Sequence, residues 1–206
     1  MNIVFDIGDV LLRWDPQGYI RSSFPHLPLE QTATGIFRSE DWYALDAGRL
    51  SRAEAAALFV ARTGLSVQMI EALLEGMPRA LQPVQEMVEL AERLRRGGHA
   101  LYLLSNIPEY VAAEALRCHE FLTRFDGAVY SHEILELKPA PAMYQTLLQR
   151  YQLQAAQTVF IDDQPKNLRA AAAQGIATVH MPAPTAIAAQ QVGAALDRLL
   201  LTTPAR

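Results

Sequence analysis

An open, parallel α/β sheet with a helical insert after its first strand is the fold this 206-residue sequence predicts. Three observations predict it. Short apolar runs recur at residues 3–5, 100–104, 127–130, 158–161 and 176–179, each too short for a helix and most rich in β-branched or aromatic residues. Helical patterns alternate with these runs from residue 84 onward. Residues 15–83 separate the first run from the second and contain no convincing strand.

The first strand, Ile3-Val4-Phe5, is continuously apolar, as are the later runs. Continuous apolarity suits a parallel sheet buried on both faces. Within residues 15–83, helices are expected at 16–24 and 28–37. Ser51-Arg52-Ala53-Glu54 has capping-box spacing before an apolar stretch, and Ser66 could cap a further helix running through Gly76. Residues 84–96 carry Val84, Met87, Val88, Leu90, Ala91 and Leu94 at helical spacing, and Gly97-Gly98 stops them. Further helices are expected at 108–117, 140–151 and 165–174, the last with Pro near its first turn and Gly175 after its end. The tail after Thr202 is expected to fray.

Composition narrows the function. Half the residues are hydrophobic and the net charge is −4, which gives no support to nucleic-acid binding. No apolar run approaches the roughly 20 residues needed to span a bilayer. The N-terminus lacks a signal-peptide pattern, so a cytoplasmic protein is expected. Cys118 is the single cysteine, which leaves no internal disulfide and no cysteine-rich zinc site. The five histidines are scattered, without metal-ligand spacing. P-loop, dinucleotide and G-x-S-x-G patterns are all missing.

The informative feature is where the polar residues fall. Asp6 follows the first strand, Ser105-Asn106 the second, and Asp162-Asp163 the run at 158–161. Lys138 lies in the loop before the helix preceding that run. In an open α/β sheet, ligands bind outside the carboxyl ends of the strands. Each cluster has a simpler structural account. Asp6 before Gly8 could begin a turn, Ser105-Asn106 or Asp163 could cap a helix, and Lys138-Pro139 could be an exposed turn. Taken singly, the simpler account is favoured for Ser105 and Lys138 and is even for the other two. It does not explain why all four fall at one sheet edge.

Three carboxylates at that edge would raise one another's pKa unless a cation were present. Mg²⁺ suits them: it is hard, takes oxygen ligands and is shared readily with phosphate. Lys138 adds positive charge and Ser105 adds a donor, so the constellation fits a phosphoryl group attacked by a carboxylate.

At this point the sequence resembles the haloacid dehalogenase superfamily over nearly its whole length. Four motifs occur in order: Phe5-Asp6-Ile7-Gly8-Asp9-Val10, Leu103-Leu104-Ser105-Asn106, Lys138-Pro139, and Phe160-Ile161-Asp162-Asp163 with Asn167. The resemblance implies a Rossmann-like core, residues 1–14 and 84–206, with a helical cap inserted over 15–83. It implies Mg²⁺-dependent phosphatase activity on a small phosphorylated metabolite, through an aspartyl-phosphate. Asp6 would be the nucleophile. Asp6, the Gly8 carbonyl and Asp163 would bind Mg²⁺, with Asp162 holding a metal-bound water. Ser105, Asn106 and Lys138 would grip the phosphoryl oxygens, and Asn167 would steady the last loop. Phosphatases of this family commonly carry an acid/base aspartate two residues after the nucleophile, where this chain has Gly8. The D-x-G-x-V form is similar to a branch containing α-D-glucose-1-phosphate phosphatases, which points to a sugar phosphate. Asp9, Asp15 or a cap residue could replace the acid.

Two other functions compete. A metal-independent 2-haloacid dehalogenase would use the same aspartate, but its first motif resembles D-x-Y-G-T and it has no role for a doubly acidic last loop. A non-catalytic phospho-ligand-binding protein would explain Gly8. Specificity is expected in the insert, where Arg38, Trp42, Tyr43, Asp46 and Arg49 cluster. Trp42 and Tyr43 could stack on a sugar and Arg49 could meet an anion. Packing between insert helices is the favoured account of Trp42, and Trp14 could be hinge packing or pocket wall.

Overall fold

The computed structural model describes residues 1–202; the tail after Thr202, expected to fray, lies outside them. Seven strands form two sheets: β1 (Asn2–Phe5), β2 (Leu12–Arg13), β3 (Gln82–Pro83), β4 (Ala100–Ser105), β5 (Gly127–Tyr130), β6 (Thr158–Asp162) and β7 (Ala177–His180). The main sheet has the order β5-β4-β1-β6-β7 and every pairing in it is parallel. β1 is central, with Phe5 opposite Leu103 on one side and Ile161 on the other.

Alternate residues of the strands feed two cores, as the pleat requires. Ile3, Phe5, Leu101, Leu103 and Ile161 face one side, while Val4, Tyr102, Leu104 and Phe160 face the other. The helices that cover them follow in chain order after the insert helices α1 (Pro16–Ser23), α2 (Leu29–Gly35), α3 (Glu40–Asp46), α4 (Arg52–Thr63) and α5 (Val67–Ala80). They are α6 (Gln85–Arg96), α7 (Glu109–Cys118), α8 (Ser131–Ile134), α9 (Pro141–Arg150), α10 (Pro165–Ala173) and α11 (Ala186–Thr202). α6, α7 and α11 bury Met87, Val111 and Leu196 on the first face; α9 and α10 bury Leu147 and Ala171 on the second. The result is a Rossmann-like three-layer fold. No helix among the described residues is long and apolar enough to cross a membrane.

The insert is joined to the sheet by a narrow ribbon, β2 paired antiparallel with β3, Leu12 opposite Pro83 and Arg13 opposite Gln82. This corrects the expectation that residues 15–83 hold no strand: two residues a side are too few to show a pattern. The capping box forms as expected, Ser51 Oγ accepting from Glu54 N–H while Glu54 accepts from Ser51 N–H at 2.8 Å. α5 does not stop at Gly76 but runs on to Ala80. Gly76 is there for contact, since a Cβ at that position would lie 2.3 Å from Tyr19 Oη. That hydroxyl donates to Leu73 O at 3.1 Å and ties α1 to α5. Three helices are absent from the sequence expectations, α3, α8 and α11.

Candidate active site

β4, β1 and β6 lie side by side and run the same way, so Ser105, Asp6 and Asp162 emerge at one edge. Asp6 N–H still donates to Ile161 O at 2.9 Å, which fixes its backbone to the end of β6. Its Oδ1 accepts from Ile7 N–H at 2.7 Å and from Lys138 Nζ at 2.9 Å. No group among the described residues donates to Oδ2, and that oxygen is the one left to react or to bind a metal.

Lys138 reaches this edge from the loop between α8 and α9 and is 3% exposed. Its ammonium donates to Asp162 Oδ2 at 2.7 Å and to Leu104 O at 2.8 Å, besides its contact with Asp6. An ammonium has three N–H groups, so all three are used. Burial alone would lower the Lys138 pKa, but Asp6 and Asp162 hold it above its ordinary value. Asp162 is fully buried and equally engaged. Its Oδ1 accepts from Gln164 N–H at 2.7 Å, and Asn167 Nδ2 lies 3.0 and 3.1 Å from its two oxygens.

Asn106 was expected to grip a phosphoryl group. Its carboxamide instead clasps the Lys138 backbone, Oδ1 accepting from Lys138 N–H at 2.7 Å and Nδ2 donating to Lys138 O at 3.1 Å. It sets where the lysine sits. Asn167 steadies the last loop through Asp162, as expected.

Burial pushes the Asp6 carboxyl up to about 7; Lys138 opposes this and the Asp162 and Asp163 charges add to it. Burial also raises Asp163, against a hydrogen bond from Gln164. Asp6, Asp162 and Asp163 each offer an oxygen within 4.8 Å of the others. Closely spaced carboxylates, with Asp6 and Asp163 raised in pKa and one Asp6 oxygen unused, fit a hard divalent cation. With the Asp162 oxygens taken by four donor contacts, Asp6 and Asp163 are the side chains free to ligate directly, and Asp162 would act through water.

A cavity of about 330 Å³ opens over this edge. Asp6, Gly8, Asp9, Ser105, Asn106, Asp163 and Gln164 line it from the sheet, and Trp14, Phe37, Arg38, Trp42, Tyr43 and Asp46 from the insert side. Lys138 and Asp162 stand behind the lining. Asp9 has φ +52° and its Oδ1 accepts from Trp14 N–H at 2.9 Å, which shapes the turn into β2. Asp15 caps α1, accepting from Gly18 N–H at 2.8 Å. Trp42 packs its ring 4.8 Å from Phe37 and 5.6 Å from Trp14, so both tryptophans are packing and cavity wall at once. Arg49 does not face the cavity contents: it donates to Leu135 O at 2.9 and 3.1 Å and pairs with Glu136 at 3.5 Å.

These Arg49 contacts belong to a second junction between insert and sheet. Ser131, fully buried at the start of α8, donates to Asp46 O in a very short hydrogen bond and accepts from Ile107 N–H at 2.9 Å. Gly48, with φ +68°, passes so close to His132 that a Cβ would lie 2.6 Å from its carbonyl oxygen. Ser131 is absent from the expected site. A polar residue directly after the apolar strand Gly127–Tyr130 is the signal that could have found it.

The model of the haloacid dehalogenase-like hydrolase family matches residues 1–175. The chain belongs to this family. It is a hydrolase, and the expectation of a non-catalytic binding protein falls. A sesquiterpene phosphatase of Aspergillus oryzae is 28% identical over 178 residues, covering 86% of this chain and 88% of that protein. Among solved structures, a predicted HAD-like family hydrolase of Porphyromonas gingivalis superposes with a TM-score of 0.72 at 22% identity, covering 98% of each chain. A HAD family enzyme of Bacteroides thetaiotaomicron, crystallised with magnesium and inorganic phosphate, gives 0.64 at 22% identity over 87% of this chain and 92% of its own. At such identities these two likenesses concern the fold of the hydrolase.

Proposed function

We propose that this hydrolase is a Mg²⁺-dependent phosphatase of small phosphorylated metabolites, with Asp6 as nucleophile and residues 15–83 as a cap over the site. The observation that carries this is the unused Asp6 Oδ2 inside a three-carboxylate cluster, of which Asp6 and Asp163 line the cavity and Asp162 lies behind them. The sesquiterpene phosphatase and the magnesium- and phosphate-bound structure among its relatives support the same chemistry. Asp6, Asp163 and the Gly8 carbonyl would hold the ion, with Asp162 behind a bound water. When bound, the ion supplies positive charge against the phosphoryl oxygens. Ser105 faces the phosphoryl position, and Lys138 neutralises the carboxylate that attacks. Asn106 keeps Lys138 in place.

The cavity wall also bears on the alcohol half of the substrate. Leu12, Trp14, Phe37, Leu81, Ile107 and Val111 offer apolar surface, and Arg38, Tyr43, Asp46 and Gln164 stand beside it. Hydroxyls buried there would lose hydrogen bonds to water. An apolar or aromatic alcohol phosphate therefore suits the wall better than the expected sugar phosphate.

The test is hydrolysis of 4-nitrophenyl phosphate, followed by a panel of terpenyl, aryl and sugar phosphates. Activity is expected to vanish with EDTA, return with Mg²⁺ and be absent in Asp6→Asn. Turnover that ignores EDTA or survives Asp6→Asn would refute the proposal. Halide release from 2-chloropropionate without metal would install the dehalogenase in its place. A preference for sugar phosphates would overturn the reading of the wall.

A further inference from the structure

We propose that Asp46, carried by the insert, protonates the leaving oxygen and then takes the proton of the attacking water. This rests on the phosphatase reading above. It answers what replaces an acid at Gly8, and it comes from elimination and placement.

Four carboxyl groups line the cavity: Asp6, Asp9, Asp46 and Asp163. Asp6 is the nucleophile and Asp163 a metal ligand in that reading. Asp9 is held by Trp14 N–H in the turn that makes β2. Asp15, the other acid near the first motif, caps α1 and is not among the cavity-lining residues. Asp46 is left, partly buried at the end of α3 on the insert side of the cavity.

Its position is fixed from the sheet. Its carbonyl accepts from Ser131, and Gly48 and Arg49 dock on the segment 132–136. At Gly8 there is room for a leaving group: a Cβ there would find one neighbour within 4 Å, Trp14 Cβ at 3.9 Å. Trp42 is a hydrogen-bond partner of the Asp46 carboxyl, and Asp6 and Tyr110 lie within electrostatic reach of it. Burial, chiefly, holds it well above the usual carboxylate range; the Trp42 hydrogen bond opposes this and Asp6 adds to it.

The protons balance. Asp6 Oδ2 bonds to phosphorus as the bond to the leaving oxygen breaks, and that oxygen takes the Asp46 proton. Water then attacks the aspartyl-phosphate, its proton passes to the Asp46 carboxylate, and phosphate leaves with the Asp6 carboxylate restored.

The experiment compares Asp46→Asn with wild type on two esters of like shape, 4-nitrophenyl and 4-nitrobenzyl phosphate, under single turnover with Mg²⁺. Nitrophenolate leaves without help; a benzylic alcohol does not. The variant is expected to release one nitrophenolate per enzyme within about tenfold of the wild-type rate, then turn over slowly. On the benzyl ester it is expected to lose about 10²–10⁴-fold, the usual worth of acid–base help. Equal loss on both esters, or none on either, overturns the proposal while EDTA-sensitive wild-type hydrolysis keeps the phosphatase reading intact. Should the variant fail to fold, wild-type rates across esters of rising leaving-group pKa decide: a shallow fall is expected, and a steep one overturns the proposal. Wild type inert on both esters overturns both readings.

Discussion

Lys138→Met should cost far more stability than loss of any other single cation among the described residues, because there the lysine is the only positive charge buried among the site carboxylates. Its side chain is 1% exposed, against 11% for Asp6 and none for Asp162. Methionine fills similar volume, so the effect is electrostatic rather than a cavity. Removing one partner of a buried ion pair costs about 3–5 kcal/mol, because the stranded charge is uncompensated. For a chain of this size about 1 kcal/mol moves the melting temperature by roughly 2–4 °C, so a fall of about 6–20 °C is expected near pH 7.5. The sign with pH follows from the carboxylates. Asp6 already lies above its unfolded value, at about 7, and loss of the lysine that lowers it raises it further, so the penalty grows above that range and fades as pH falls and the carboxyl takes up its proton. The deficit should therefore shrink between pH 8 and pH 5. Arg93→Ala, which breaks an ion pair at 3.0 Å with both partners about half exposed, is the control and should cost no more than about 1 kcal/mol. Thermal melts of the three proteins at both pH values provide the assay. A Lys138→Met shift as small as that of Arg93→Ala, or one independent of pH, would refute the reasoning.

Mg²⁺ binding should weaken as Asp6 protonates: with its carboxyl near 7, the dissociation constant is expected to rise about tenfold per pH unit below that value and to level off above it, and titration calorimetry at pH 6 and pH 8 would show a flat profile if the reading were wrong. Gly48→Ala puts a Cβ 2.6 Å from His132 O at a φ of +68°, so it should destabilise the chain by about 1–3 kcal/mol and lower kcat/KM without touching substrate; an unchanged melting temperature counts against the docking role of this turn.

Much of this molecule was legible in the sequence, for identifiable reasons. β1, β4 and β6 announce themselves because strands buried on both faces must be continuously apolar, and each is closed or followed by its polar residue. The Ser51 capping box is a local signal and formed as read. What failed to show depends on contacts distant in sequence. β2 and β3 are two residues each, and 68 residues of insert lie between Arg13 and Gln82. Gly76 reads as a stop unless Tyr19 is known to lie against it. The Asn106 clasp on the Lys138 backbone spans 32 residues of chain and has no local signal. α11 was within reach, since Ala188, Ala189, Val192 and Leu196 keep helical spacing, yet its alanine-rich composition gives a weak pattern. α3 was signalled by Ser39, whose side chain accepts from Trp42 N–H.

That short helix matters more to the chemistry than its length suggests. The sheet edge supplies charge but only one side of a site: Asp6 and Asp163 line the cavity from below, with Lys138 buried behind them. Most of what an alcohol leaving group would meet comes from the first turn after β1 and from the insert, with Ile107, Val111 and Gln164 completing the wall. Two junctions hold that insert, the β2–β3 ribbon and the contacts of Asp46, Gly48 and Arg49 with residues 131–136. The second junction lies just ahead of Lys138 in the chain, so one loop carries both the cation that serves the nucleophile and the seat of α3. A change that loosens α3 should therefore reach the leaving-group side of the reaction while the carboxylate cluster stays intact. The two halves of phosphoryl transfer, attack and departure, would then fail separately, and single-turnover measurements on leaving groups of different acidity can tell them apart.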